Sequence, residues 1–227
     1  MTPDEWQAVR LSLSVAARSV AVGLPFAVLV AYALGRGRFW GRSLLDAVVH
    51  LPLVMPPVVV GWGLLLLFGV RGPVGALLQD WFGVRLVFTS AGAALATGVM
   101  AFPLMVRAIR LALDNVDPGL EAAARTLGAG PVDRFLTVTL PLMAPGVLAG
   151  AVVAFAAGLG EFGAVITFAS NIQGQTQTLP LAIYAATQVP GGEATAAKLS
   201  LVSFTLAVAG LLLSELIARR MHRWLGR

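Results

Sequence analysis

The chain has 227 residues, of which 58% are apolar and only 12% are charged. Since a soluble domain carries roughly 25% charged residues, this composition predicts a polytopic membrane protein. It excludes a disordered chain, which needs low hydrophobicity and high charge. The sequence contains no cysteine, which excludes disulfides, thiolate metal sites and thiol catalysis.

The formal net charge is +5, and all but one of the 16 basic residues are arginine. A nucleic-acid-binding protein needs its basic residues on one solvated face. Most of these arginines instead stand beside apolar segments, as the positive-inside rule predicts for a membrane protein. We therefore expect no nucleic-acid partner. We expect membrane lipid to surround the chain.

Stretches without charged residues predict the membrane-spanning segments, since about 20 apolar residues cross the hydrocarbon. Trimmed at helix breakers, they leave five full helices, at residues 8–35, 46–69, 88–112, 144–168 and 196–218. Residues 171–195 contain a polar stretch and a short apolar run, interpreted as a half-helix or a surface segment, although this region could be counted as a sixth span. The predicted fold is an all-α polytopic membrane protein, a single domain over 1–227, with a long loop over 113–143.

Arginine distribution predicts the orientation of these spans. Eleven arginines lie in three segments, 36–46, 107–134 and 219–227, whereas the remaining five basic residues lie in the first span or on the opposite side. Because positive charge is retained in the cytoplasm, we expect the N-terminus outside and the C-terminus in the cytoplasm of a cell (inner) membrane.

The second predicted span contains three prolines, Pro52, Pro56 and Pro57. Each lacks an N–H group and clashes with the carbonyl one turn earlier. The carbonyls freed at membrane depth must face protein or a water-filled path. The segment therefore predicts a broken helix, which either lines a pathway or is an ordinary packed kink.

The fourth predicted span carries a stripe of small residues, Gly146, Gly150, Ala154 and Gly158. Such a stripe allows two helices to approach closely. The contact would lie either within the chain or between two chains.

Glu161 lies in the outer half of the same predicted span. An ionisable side chain at this depth is costly and is usually paired or functional. Arg18 of the first span has the matching depth and the opposite sign, which motivates the hypothesis of an Arg18–Glu161 ion pair. The alternative is that Glu161 faces a polar loop or water.

The loop over 113–143 predicts a short helix of about ten residues. Asp117 suits an N-cap, Pro118 the first helical position, and Gly128 the C-terminal stop. A second short helix is predicted to start at Pro131. The first helix either docks into a groove of a cytoplasmic protein or is a simple connector on the membrane surface.

The run Ala122-Ala123-Ala124-Arg125-Thr126-Leu127-Gly128, followed after nine residues by Val138-Thr139-Leu140-Pro141, resembles the EAA loop of ABC-importer permeases. In that pattern a glutamate stands where this chain has Ala122, and the glutamate of this chain stands one place earlier, at Glu121. The side chain of Glu121 therefore leaves its helix on a face turned by about 100°. The resemblance implies four residues that couple to an ATPase: Glu121, Ala122, Ala123 and Gly128.

The segments Gly158–Ala164 and Ser170–Tyr184 resemble the molybdate branch of these permeases, ahead of the sulfate and thiosulfate branch. The similarity extends from the first span to the last. The candidates for lining a pathway or gate are Pro56, Pro57, Glu161 and Asn171.

This resemblance implies a type I ABC-importer permease whose two copies form the pore. Two cytoplasmic ABC ATPase subunits would bind ATP and magnesium, and a periplasmic or surface binding protein would deliver molybdate, with tungstate as a possible second substrate. The chain has no G-x-x-x-x-G-K-[ST] phosphate loop, so it cannot itself be the ATPase, and we expect no catalytic residue, metal site or cofactor in it. The spans offer a dianion little positive charge, and Glu161 would repel it, so we expect no tight substrate site.

Three other functions are open. A permease for sulfate or thiosulfate would share the ABC mechanism. An ion-coupled secondary transporter would need inverted repeats and intramembrane acidic or histidine relays, and an intramembrane enzyme would need a motif that the two histidines, His50 and His222, do not supply.

Overall fold

The computed structural model describes residues 1–224, and the regular elements in this range are all helical. They are α1 (Pro3–Arg36), α2 (Arg42–Val54), α3 (Pro57–Phe68), α4 (Pro73–Phe82), α5 (Ser90–Asp114), α6 (Pro118–Thr126), α7 (Pro131–Arg134), a π-helical turn (Phe135–Thr139), α8 (Leu140–Leu159), α9 (Gly163–Ala169), α10 (Leu179–Thr187) and α11 (Glu193–Trp224).

Four helical stretches of the described chain are long and apolar enough to cross a membrane: α1, α5, Pro131–Leu159 and Glu193–Leu212. The pair α2 and α3 passes the same test only together, with a bend of 119° between the two helices. The prediction of an all-helical membrane protein with about five spans is confirmed, but its second span is a bent pair of helices and not one full helix.

The break between α2 and α3 follows from two consecutive prolines. A residue that precedes proline is pushed out of the helical region of backbone space. Met55 and Pro56 are both followed by proline, and both are extended, with ψ of 144° and 133°. Pro57 then starts α3 at the first position, where its missing N–H costs nothing. The predicted broken helix is therefore present.

The fourth span differs from the predicted 144–168 at both ends. Its helix runs without interruption from Pro131 to Leu159, so the predicted short helix at Pro131 merges with it. The π-helical turn lies one turn before Pro141, and there the Leu140 amide donates to the Phe135 carbonyl five residues earlier. This widening gives the proline ring room within a continuous helix. The helix then ends at Leu159, and α9 is separate.

Helix α5 is the centre of the bundle, with α1 and α8 packed along it. One of its faces is almost fully buried at positions four residues apart: Ala101, Met105, Ile109 and Leu113. Repetition at this spacing places side chains on one side of a helix. Apolar side chains of α1 with the same spacing complete this part of the core: Ala27 and Ala31, with Leu34 one turn on.

The small-residue stripe of α8 packs inside the chain. A Cβ at Gly146 would lie 2.1 Å from the Cβ of Ala112, and one at Gly150 would lie 3.3 Å from the Cβ of Ala108, both on α5. A Cβ at Gly158 would lie 2.8 Å from a methyl carbon of Thr97. Of the two interpretations of the stripe, the contact within the chain is confirmed.

Ion pairs join helices at both ends of the bundle. At the end formed by the C-termini of α1 and α5 and the start of α2, here called the arginine-rich end, the Arg110 guanidinium donates to Asp46 at 3.2 Å. At the opposite end, the Lys198 ammonium of α11 lies 2.6 Å from the carboxylate of Glu5, in the first turn of α1.

Replacing Gly146 with alanine tests the α5–α8 contact. The added methyl group overlaps Ala112, so we expect Gly146→Ala to lower the free energy of unfolding by about 1–3 kcal/mol. Gly63→Ala is the matched control, because Gly63 is also helical and its Cβ would meet no atom within 4 Å. Thermal unfolding in detergent measures both variants, and equal changes would contradict the packing described.

Candidate functional site

The loop between α5 and the fourth span contains the predicted short helix, α6. Asp117 caps it, since its carboxylate accepts from the Gly119 amide at 2.8 Å, and Pro118 occupies the first position. Gly128 follows with φ of +90°, a backbone conformation that favours glycine and ends helices. The nine-residue helix therefore has the start and stop that the sequence predicts.

One face of α6 is small, apolar and uncovered by the described residues. Ala122 and Ala123 are exposed, and the flanking Leu120 and Leu127 are 47% and 88% exposed. Small side chains allow a partner to approach the helix backbone, and exposed leucines favour removal from water. Three of the residues carried over from the EAA pattern, Ala122, Ala123 and Gly128, thus lie on an accessible surface.

Glu121 points the other way, into the body of the protein. Its Oε1 accepts from the Arg36 Nε at 3.3 Å and from the Thr139 hydroxyl at 3.1 Å. Only 18% of the side chain is exposed. The turn of about 100° between neighbouring positions of a helix therefore separates Glu121 from the alanine face. In this structure the carboxylate belongs to the internal support of α6.

Arg36 connects three elements at the arginine-rich end. Besides Glu121, its Nη2 donates to the backbone carbonyls of Leu113 and Val116, at 3.2 and 3.0 Å. Carbonyls at the end of a helix lack intrahelical partners, and the negative end of the helix dipole favours a cation there. One turn earlier on α1, Tyr32 packs edge-on against Phe135, with ring centroids 5.0 Å apart.

The two helix breaks, α2–α3 and α8–α9, meet in space. A Cβ at Gly163, the first residue of α9, would lie 2.7 Å from the Cβ of Pro57. Further along, a Cβ at Gly61 would lie 2.7 Å from the Ala164 carbonyl oxygen. Only glycine allows so close an approach of α3 and α9. The structure thus brings the Pro56–Pro57 break next to the break that holds Glu161.

Glu161 caps α9. Its Oε1 accepts from the Ala164 amide at 2.8 Å, which satisfies one of the free N–H groups at the start of a helix. Arg18 instead donates to the Ser90 hydroxyl at 3.3 Å. The predicted Arg18–Glu161 pair is therefore not formed and the hypothesis is wrong for this structure, because a partner three residues away is available to Glu161.

Asn171 lies beyond the other end of α9, one residue after Ser170, whose φ of 64° and ψ of −172° are unusual for a residue with a side chain. Among the described residues, the Asn171 Oδ1 is buried without a hydrogen-bond partner. The loop 170–178 is attached to α1, since the Gln7 Nε2 donates to the Gly174 carbonyl at 3.2 Å, and the start of α10 is attached as well, since the Ser12 hydroxyl accepts from the Leu179 amide at 2.6 Å. Because α9 lies between them in the chain, Asn171 and Glu161 are at opposite ends of this helix.

Two polar residues of the α6 region were missed by the sequence reasoning. Arg36 was used only for membrane orientation, and Thr139 only as part of the EAA pattern. For Arg36 a signal was available: it stands in the last turn of α1, directly before a glycine, and the C-terminal end of a helix favours a cation.

Comparisons with known proteins agree with this architecture. A family model described as "Binding-protein-dependent transport system inner membrane component" matches residues 23–225. The molybdenum transport system permease protein ModB of Escherichia coli (strain K12) is 56% identical over 227 residues, 100% of this chain and 99% of that protein. The ModB protein of Haemophilus influenzae is 53% identical over 223 residues, 98% and 97% of the two chains.

A more distant relative is a sulfate transport permease. The sulfate transport system permease protein CysT of Salmonella typhimurium is 37% identical over 199 residues, which cover 86% of this chain and 72% of that protein.

Solved structures share the fold at low sequence identity. A bacterial alginate ABC transporter, in complex with an alginate-bound periplasmic protein, matches 97% of this chain and 80% of its own, with a TM-score of 0.77 and 17% identity. The inward-facing MetNI methionine ABC transporter matches 97% and 99%, with a TM-score of 0.69 and 17% identity. The predicted type I ABC-importer permease fold is confirmed. The chain is a multi-pass inner membrane protein, and it belongs to the family of inner membrane components of binding-protein-dependent transport systems.

Proposed function

We propose that this chain is the transmembrane permease subunit of an ATP-driven molybdate importer. The observation that carries the proposal is the 56% identity, over the full length of both chains, to a molybdenum transport permease. The 37% identity to a sulfate permease makes sulfate import the weaker alternative. The capped α6 helix, with its uncovered alanine face, supports an ATP-driven mechanism because it supplies a surface on which an ATPase can dock.

In this proposal two copies of the chain form the pore and two ATPase subunits bind below it. The arginine-rich end faces the cytoplasm, as the positive-inside rule requires, which leaves the N-terminus outside and the C-terminus inside. The exposed face of Ala122 and Ala123, flanked by Leu120 and Leu127, enters a groove of the ATPase. ATP and magnesium are held by that partner, and a binding protein delivers molybdate from the other side.

The junction of the two helix breaks is the proposed gate. Broken helices leave backbone groups without partners, and such groups are tolerated at membrane depth where they face protein or a water-filled path. Pro56, Pro57 and Glu161 lie at this junction, and Asn171 lies at the far end of α9. Since α3 and α9 are held together by close glycine contacts, they are proposed to move as one unit when the ATPase subunits close.

Transport of molybdate is the first expected result. Cells that contain the chain with its ATPase and binding protein take up radiolabelled molybdate, and cells without the chain do not. Tungstate in excess suppresses the uptake, because the two oxyanions have nearly the same size and charge, whereas sulfate in excess leaves it unchanged. Uptake abolished by sulfate would keep the importer mechanism and change the substrate to sulfate or thiosulfate.

Docking through α6 is tested by enlarging its alanine face. Ala123→Trp places a bulky ring where the partner is proposed to approach the helix, so we expect recovery of the ATPase with the purified permease to fall by about tenfold or more. Ala91→Trp is the control, since Ala91 is also exposed in a helix, at the opposite end of the bundle. Equal recovery of the ATPase with both variants would contradict this docking surface.

Weak binding of the anion inside the membrane is also expected. The start of α9 would suit an oxyanion, but the Glu161 carboxylate already occupies it and repels a second anion. We therefore expect the purified transporter, without its binding protein, to bind molybdate more weakly than about 1 μM. Isothermal titration calorimetry measures this affinity, and micromolar binding or tighter would argue against a pore without a tight site.

A further inference from the structure

We propose that Arg36 is the positioning residue that passes the movement of α6 to α1 and α5. The proposal rests on the function proposed above, in which α6 is the element that an ATPase moves. It assigns a specific role to a side chain that stands outside the EAA loop, 85 residues before Glu121 in the sequence.

Helix α6 has few other means of staying in place. It contains no buried residue, and a helix of nine residues is marginal in water without tertiary contacts. The elements that pack most closely against it are the π-helical turn and α7, both of which follow it in the chain. Among the described residues, the hydrogen bond from Arg36 to Glu121 is therefore the side-chain bond that connects α6 directly to α1.

The geometry of Arg36 suits the transfer of a displacement. Its planar guanidinium has five N–H donors in a fixed arrangement. Its Nε donates to the Glu121 carboxylate, and its Nη2 donates to the backbone carbonyls of Leu113 and Val116. The group thus holds α6, the end of α5 and the end of α1 in one rigid contact. Lysine would present a single point charge in place of this fork.

The end of α1 also contacts the element that follows α7. Tyr32 and Arg36 are four residues apart and lie on the same face of α1. Tyr32 packs on Phe135 in the π-helical turn, whereas Thr139 at the end of that turn donates to the same carboxylate oxygen as Arg36. Glu121 is therefore held between α1 and the start of α8. A shift of α6 reaches both spans through this carboxylate.

The test measures coupling, which a merely structural role would not change selectively. The permease is reconstituted in liposomes with its ATPase and binding protein, and molybdate uptake and ATP hydrolysis are measured in the same vesicles. We expect Arg36→Gln to lower the ratio of molybdate imported to ATP hydrolysed by about tenfold, with the ATPase still bound to the permease. Arg38→Gln is the matched control, because Arg38 is exposed two residues later, and we expect it to keep the wild-type ratio.

A double variant shows whether the effect passes through Glu121. If both residues act through one contact, their effects are not additive. Because Glu121 bonds to both Arg36 and Thr139, we therefore expect Arg36→Gln with Glu121→Gln to lower the ratio no further than Glu121→Gln alone. Independent losses that multiply in the double variant would overturn the proposal.

The remaining outcomes separate this inference from the proposed function. An unchanged ratio in Arg36→Gln, with an active wild-type transporter, would overturn the role of Arg36 and leave the transport function intact. Loss of the bound ATPase in this variant would also overturn it, since Arg36 would then serve docking. A wild-type transporter without ATP-driven molybdate uptake would instead refute the proposed function.

Discussion

The structure depends on one constraint: inside a membrane, every backbone N–H and C=O group must find a partner within the protein. Four of the spans in the described residues meet this requirement as continuous helices, and one of them, α5, lies at the centre of the bundle. The two helix breaks are the exceptions, and they lie against each other, with Gly163 next to Pro57. The Glu161 carboxylate supplies an acceptor at the start of α9. The two breaks thus lie side by side, and Pro56 and Pro57 are exposed in the single chain, so a second protein chain or a water-filled path has to face them in the membrane.

The same reasoning explains the arginine-rich end. The Arg36 guanidinium donates to the Leu113 carbonyl in the last turn of α5 and to the Val116 carbonyl just after that helix. The carboxylate of Glu121 completes its contacts. Because Glu121 stands one position before the place of the glutamate in the EAA pattern, it faces inward and leaves Ala122 and Ala123 on the outer face. A shift of one residue therefore separates the internal support of α6 from its exposed surface.

Much of this arrangement could be predicted from local sequence. Proline pairs, Asp117 and Gly128 act on their immediate neighbours, so the α2–α3 break and the bounds of α6 follow from short segments. The stripe of small residues on α8 predicts close packing, although only the structure identifies α5 as the partner. Contacts distant in sequence were not accessible: depth and charge sign favoured Arg18 as the partner of Glu161, but a nearby backbone amide satisfies the carboxylate. The continuous helix through Pro141 was missed because the π-helical turn that accommodates it has no recognised sequence signal.

Helix α1 links the two regions on which transport is proposed to depend. Its last turn bonds to Glu121 at the arginine-rich end, and its first turns bond to the segment that carries Asn171, through Gln7 to the Gly174 carbonyl and through Ser12 to the Leu179 amide. The helix is continuous over 34 residues, including Pro25, and so is about 50 Å long. Helices resist stretching far more than loops do, so a displacement of α6 that moves the end of α1 also displaces the loop 170–178. Helix α1 thus joins the arginine-rich end, where an ATPase is proposed to dock, to the opposite end, from which the substrate is proposed to enter.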